Sequence, residues 1–131
     1  MLDHVVVPVK DYERSKAFYT KILAPLGYEL VMEPMPRMGG FGKAGKPAFW
    51  IGEQRPTYWT AAHVTSQSPI HVAFSAPSRA AVAAFHAAAL AAGGSDNGGP
   101  GLRPVYHPNY YGAFVLDPDG NNVEAVIHTP E

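Results

Sequence analysis

The sequence predicts an α+β fold built from two copies of one β-α-β-β-β unit. Three observations predict it. Residues 2–9 (LDHVVVPV) and 70–76 (IHVAFSA) alternate in twos, as half-buried strands do, and a helical pattern follows each. A shift of 67 positions carries His4, Val5, Ala17, Phe18, Leu23, Ala24 and Gly27 onto His71, Val72, Ala84, Phe85, Leu90, Ala91 and Gly94, all identities. Short β-like runs between Pro/Gly-rich segments then complete each half. A unit of about 65 residues cannot easily bury its sheet alone, so each copy should pack on its sister or on another chain.

In the first half, Asp11 can cap a helix and Glu13 suits the positive end of its dipole. Phe18, Tyr19, Ile22 and Leu23 form one helical face, and Pro25 with Gly27 ends it. β-like runs follow near 28–33, 38–43 and 48–53. Residues 57–69 read as a connector. The second helix should span about 78–92, with Ser75 or Ser78 as cap, Val82, Phe85 and Ala89 as its stripe, and Gly93-Gly94 as its stop. Residues 95–101 read as a loop. Further β-like runs are expected near 103–106, 111–117 and 122–128. Asp117-Pro118-Asp119-Gly120-Asn121 between the last two is a hairpin-turn signal. The chain is thus one domain over residues 1–131, with modules at 1–56 and 70–131.

Composition narrows the function. Hydrophobic residues make up 47% of the 131 positions and charged residues 16%, enough for a core. Ten Lys and Arg against eleven Asp and Glu leave a net charge of −1, so no basic field exists for nucleic acid or an anionic membrane. With no cysteine there is no disulfide, thiolate ligand or thiol nucleophile. The longest apolar stretch, 80–92, is far short of a membrane span. Residues 1–10 lack the basic start and apolar run of a signal peptide, which points to a soluble, cytoplasmic protein.

Strand alternation then sorts the polar residues. Val5, Val7 and Val9 share one side of the first strand, and His4, Val6 and Pro8 the other. Val72 and Phe74 oppose His71, Ala73 and Ser75. Val123, Ala125 and Ile127 oppose Asn122, Glu124, Val126 and His128. The apolar sides are seats for the helices. If the strands are neighbours, His4, His71 and Glu124 converge on the other, concave side. Two imidazoles and a carboxylate are the ligand set of a facial triad, which leaves open positions and suits a divalent metal: Fe, Mn, Ni or Zn. The plain alternative is two strand-end histidines and a surface glutamate.

The stretches LDHVVVPVKDYERSKAFYTKIL, LGYEL, HVAFSAP and GAFVLDPDGNNVEAV cover both halves and nearly the whole chain. In them the sequence resembles the vicinal oxygen chelate superfamily of glyoxalases, ring-cleaving (extradiol) dioxygenases, fosfomycin-resistance transferases and bleomycin-resistance proteins. The resemblance implies paired βαβββ modules forming a cupped mixed sheet with helices outside, often in a homodimer. It also implies a small-molecule substrate whose adjacent oxygens chelate the metal. Metal-binding members take ligands from the first and last strands of each module, which again selects His4, His71 and Glu124. At the fourth position, where glyoxalase I has a carboxylate, stands Trp50.

An indole cannot act as the base that a glyoxalase-type isomerisation requires. Ring-cleaving dioxygenase-like chemistry is therefore favoured. His107 and Tyr110 are candidates for acid and base groups, and Trp50 and Tyr111 for flanking the organic part. The stretch 106–111 could equally be an aromatic loop over the sheet mouth. Arg37 and Arg103 stand alone, without the basic cluster that a phosphonate would need. The alternative function is metal-free small-molecule binding by a bleomycin-resistance-like dimer.

Overall fold

Both helices form where their caps place them in the computed structural model, which describes residues 1–131. Helix α1 (Tyr12–Leu23) is capped by Asp11, whose side chain accepts from the Arg14 N–H at 3.0 Å. Helix α2 (Arg79–Ala91) is capped by Ser78 rather than Ser75, with the hydroxyl accepting from Ala81 N–H at 3.1 Å. Each cap satisfies one orphan donor, worth about 1 kcal/mol. The predicted stripes are buried: Phe18, Tyr19, Ile22 and Leu23 on α1, and Val82, Phe85 and Ala89 on α2. A single turn of 3-10 helix (Ala24–Leu26) leads from α1 to Gly27, whose φ of 79° ends it. Gly94 holds the same place after α2 for a different reason. A Cβ there would stand 2.9 Å from the Phe18 ring, so this glycine lets one module approach the other.

Strands β1 (Val5–Pro8), β2 (Glu29–Met35), β3 (Met38–Lys43) and β4 (Lys46–Gly52) form the first sheet, in the order β1-β4-β3-β2. The second sheet holds β5 (His71–Ser75), β6 (Ser95–Asp96), β7 (Gly101–Leu102), β8 (Tyr111–Leu116) and β9 (Asn122–Ile127). Its order is β5-β9-β8-β6, with β7 also on β8. Each module closes the same way, its first strand pairing in parallel with its last. Proline-bearing β1 lies at an edge, where a missing N–H costs no ladder bond.

One stretch differs from expectation. Residues 103–106 form a turn rather than a strand, and the short strands β6 and β7 occupy what reads in sequence as a loop. Pro104 and Pro108 remove ladder donors there. The backbone instead bonds to itself, Arg103 N–H to Tyr110 C=O at 2.7 Å and Tyr110 N–H to His107 C=O at 3.0 Å. The result is a closed arch over the second sheet.

The modules share one core. Tyr19 meets Phe49 at 4.8 Å between ring centroids, Phe49 meets Phe74 at 5.1 Å, and Phe74 meets Tyr28 at 5.6 Å. Such pairs contribute about 0.5–1.5 kcal/mol each beyond burial, and here they cross from module 1 into β5. The 117–121 turn adds a polar tie. Buried Asp117 accepts from the Tyr19 hydroxyl at 2.6 Å and from the backbone N–H groups of Asp119 and Asn121 at 2.9 and 2.8 Å. Asn121 in turn accepts from Ile70 N–H at 3.1 Å. These residues do more than turn the chain: they fasten it to α1 and to β5. No helix is long and apolar enough to cross a membrane.

Candidate metal and substrate site

Strand alternation puts the side chains where the sequence implies. Val7, Phe74, Val123, Ala125 and Ile127 are buried on the helix side of their sheets. Glu124 lies on the opposite side of β9, yet it is only 1% exposed. Its neighbours account for this. In the strand register Glu124 sits beside Ala73 on β5 and Phe114 on β8. Oε2 is 3.1 Å from His71 Nε2, and Oε1 accepts a short hydrogen bond from the Tyr110 hydroxyl. Gly112 makes room, since a Cβ there would stand 2.9 Å from Oε1. Burial, then the bond to Glu124, pushes the Tyr110 hydroxyl up to about 12, so it stays protonated at neutral pH.

His71 is oriented as well. Its Nδ1 is 3.1 Å from the Asn122 carbonyl, which only accepts, so Nδ1 carries the proton. Its ring stacks on Phe114 at 6.2 Å. Nε2 of the neutral ring is then a lone pair facing a carboxylate oxygen. Two acceptors in that position need a positive charge between them, supplied by a proton or by a metal ion. The 3.1 Å separation fits a metal: two neighbouring ligands at about 2.1 Å and a right angle stand roughly 3 Å apart. The residues present therefore fit part of a divalent site.

His4 does not join them within the chain. Its Nδ1 is 2.9 Å from Asp3 Oδ1, and Lys46 reaches the other Asp3 oxygen at 2.9 Å. Those bonds hold the Asp3 carboxyl down at about 2. His4 lines a separate hollow with Val6, Met38, Pro47 and Trp50. No group of three or more potential ligands forms in the chain, so the triad expected in one cup is divided into the His71–Glu124 pair and a separate His4, which also lines a hollow with Val72, Ala73 and Phe74.

Trp50 stands where the sequence comparison of the modules puts it. Val6 and Gly40 flank it in the register as Ala73 and Phe114 flank Glu124. A Cβ on Gly40 would lie 2.9 Å from two indole atoms, so the ring rests on bare backbone. His107 lies at the rim, with its Nδ1 accepting from Asn109 N–H at 3.1 Å and its ring 5.8 Å from His128. Tyr111 is on the other face of β8, packed against the core under the Arg79 guanidinium at 4.9 Å. That placement takes it out of the hollow of His71 and Glu124, where the sequence leads one to expect it to flank the substrate. One residue's difference from Tyr110 reverses its side.

Sequence reasoning missed Phe114 and Tyr106, which line the hollow with His71, Tyr110 and Glu124. Counting back from the 117–121 turn would have found Phe114, because the hairpin pairs it with Glu124. Tyr106 belongs to the 106–111 stretch that reads as an aromatic loop over the sheet mouth, without being singled out there. A further hollow, under the connector, is lined by Trp59, His63, Ser66 and Ile70. It contains none of the predicted site residues.

The match to known proteins agrees with this fold. The family model for the Glyoxalase/Bleomycin resistance protein/Dioxygenase superfamily matches residues 1–125. A glyoxalase/bleomycin resistance protein from Albidiferax ferrireducens T118 is 33% identical, with a TM-score of 0.75 over 94% of this chain and 95% of that one. Two more distant structures share the fold. Lactoylglutathione lyase from Agrobacterium tumefaciens is 19% identical with a TM-score of 0.65, over 96% of this chain and 91% of its own. TioX from Micromonospora sp. ML1 is 15% identical with a TM-score of 0.71, over 98% and 99%. No curated protein matches the sequence at a significant level. With a family match over almost its whole length and paired βαβββ modules beneath it, the chain belongs to the Glyoxalase/Bleomycin resistance protein/Dioxygenase superfamily.

Proposed function

We propose that the chain is a divalent-metal-dependent enzyme acting on a small substrate with two adjacent oxygens. His71 and Glu124 of one copy and His4 of a second copy would hold the ion, Fe, Mn, Ni or Zn, in a homodimer. The observation that carries this reading is the His71–Glu124 pair: two acceptors held 3.1 Å apart, each oriented by a further hydrogen bond. Ligating histidines and carboxylates are commonly braced this way. The bound ion would supply Lewis acidity toward the chelating oxygens.

The chain's own groups have distinct tasks. Glu124 offsets positive charge in a site where charge is costly. Tyr110 keeps one Glu124 oxygen occupied and leaves the other facing His71. With Nδ1 accepting from Asn109, the neutral His107 ring carries its proton on Nε2 and can donate it at the rim. Trp50 offers an indole face to the organic part of the substrate and no base. Isomerisation of the glyoxalase I kind lacks its proton carrier there, so dioxygen-dependent ring cleavage is favoured.

The second reading is a metal-free binding module in which a proton joins His71 to Glu124. It is favoured by the separation of His4 within the chain. Metal analysis separates the two. Purified protein should hold near-stoichiometric divalent metal, and His4→Ala and His71→Ala should each lose it. A mixture of the two variants should regain part, because a mixed dimer rebuilds one site of two. Protein without metal, and no rise in melting temperature with Fe(II), Mn(II), Ni(II) or Zn(II), leaves the binding module.

A further inference from the structure

We infer that the site takes a carboxylic acid, whose carboxylate is bound by Arg103 in a hollow adjoining His71 and Glu124. This deepens the proposed function, and rests on it only for where the adjacent oxygens sit. The second hollow is lined by Asn97, Gly98, Arg103, Tyr106, Phe114 and Asn122. It shares Tyr106 and Phe114 with the hollow of His71 and Glu124, so one molecule can occupy both.

The guanidinium is built into place. Nη2 donates to the Gly99 carbonyl at 2.7 Å and Nη1 to the Leu102 carbonyl at 3.3 Å. Its Cζ lies over the Phe114 ring, 5.6 Å from the centroid. Two glycines leave its slot open: a Cβ at Gly101 would stand 2.9 Å from Nη1, and one at Gly98 3.4 Å from Nη2. The arch that carries Arg103 also carries Tyr110, tied by the 2.7 Å backbone bond between them. Arg103's charge is felt at the Tyr110 hydroxyl, where it opposes the upward push of burial and Glu124.

What this cation faces is incomplete. No carboxylate of the chain pairs with Arg103. A guanidinium has five N–H donors, and two hydrogen bonds leave the others available. Asn97 donates to the Asn122 side-chain oxygen at 3.2 Å, which leaves the Asn122 amide N–H groups as a second donor. One positive charge and one amide match a single negative charge. A dianion would meet the Glu124 carboxylate with charge unbalanced. A planar carboxylate also fits the guanidinium fork.

The test has a metal-free arm and a metal-loaded arm. In metal-free protein, phenylacetate is titrated while the Arg103 Nε–H resonance is followed, assigned by its loss in Arg103→Gln. A saturable shift is expected at millimolar probe. Gly101→Ala, which keeps the charge but displaces the guanidinium, should weaken it several-fold. In Mn(II)-loaded protein without oxygen, 3,4-dihydroxyphenylacetate should bind at least tenfold tighter than catechol. Arg103→Gln should erase that advantage and leave catechol unchanged, and Arg103→Lys should keep part of it. No saturable shift, or equal losses for both probes in Arg103→Gln, overturns the carboxylate subsite. A shift in the first arm with no catechol binding in the second upholds the subsite and defeats the metal reading instead.

Discussion

The two modules share one strand register and place opposite chemistry on it. Where β4 presents Trp50 between Val6 and Gly40, β9 presents Glu124 between Ala73 and Phe114. The space each needs comes from a glycine. Gly40 lies under the indole, while Gly112 yields room to the carboxylate and leaves Phe114 to stack on His71. The hairpins before these strands differ in the same sense. Module 1 turns through Ala44 and Gly45, at φ of 50° and 76°, both exposed. Module 2 turns through Asp117, 5% exposed and holding α1, its own turn and Asn121 together. One strand register thus carries an indole in the first module and a buried carboxylate in the second.

The comparison can be broken first at the turns. Asp117→Ala removes the acceptor for the Tyr19 hydroxyl, two backbone N–H groups and the Asn121 amide. Buried donors left unpaired should cost about 3–5 kcal/mol, measured by urea unfolding. A loss under about 1 kcal/mol would make this turn as passive as the one in module 1. The equivalence of Trp50 and Glu124 is sharpened by Trp50→Glu, which gives module 1 a carboxylate at the matching position. Metal affinity should rise at least tenfold, about 1.4 kcal/mol, in an equilibrium titration. Unchanged affinity in a folded variant would show that the two positions do not face one site. The smallest effect is expected at Ala44→Gly. Relief of a left-handed alanine, about 1 kcal/mol, is largely offset by the greater freedom of glycine in the unfolded chain. Stability should rise by no more than about 0.5 kcal/mol, and a clear loss would mean that the Ala44 side chain packs.

Much of the fold was legible because it rests on local rules. The alternation of 2–9 and 70–76 and the stripes through Phe18 and Phe85 name their own faces, and the shift of 67 positions relates the two halves. The 103–110 arch was legible only in part, as an aromatic loop over 106–111, while 103–106 read as a strand. Its hydrogen bonds close within the segment, and two prolines spoil a strand pattern that apolar residues otherwise suggest. Tyr111 lies on the core side because it pairs with Ile127, an alternation that the expected strand at 111–117 already carried.

By itself, the sequence determined the paired β-α-β-β-β pattern and the side of the sheet on which Glu124 and His71 stand. Periodicity carries that information, since a strand turns its side chains over every two residues. Only the tertiary structure decided which of these groups meet. His71 and Glu124 come together because β5 and β9 pair, and His4 stays apart because β1 pairs with β4 in a different sheet. Strand pairing is a long-range choice made by the whole core, and no spacing along the chain reports it.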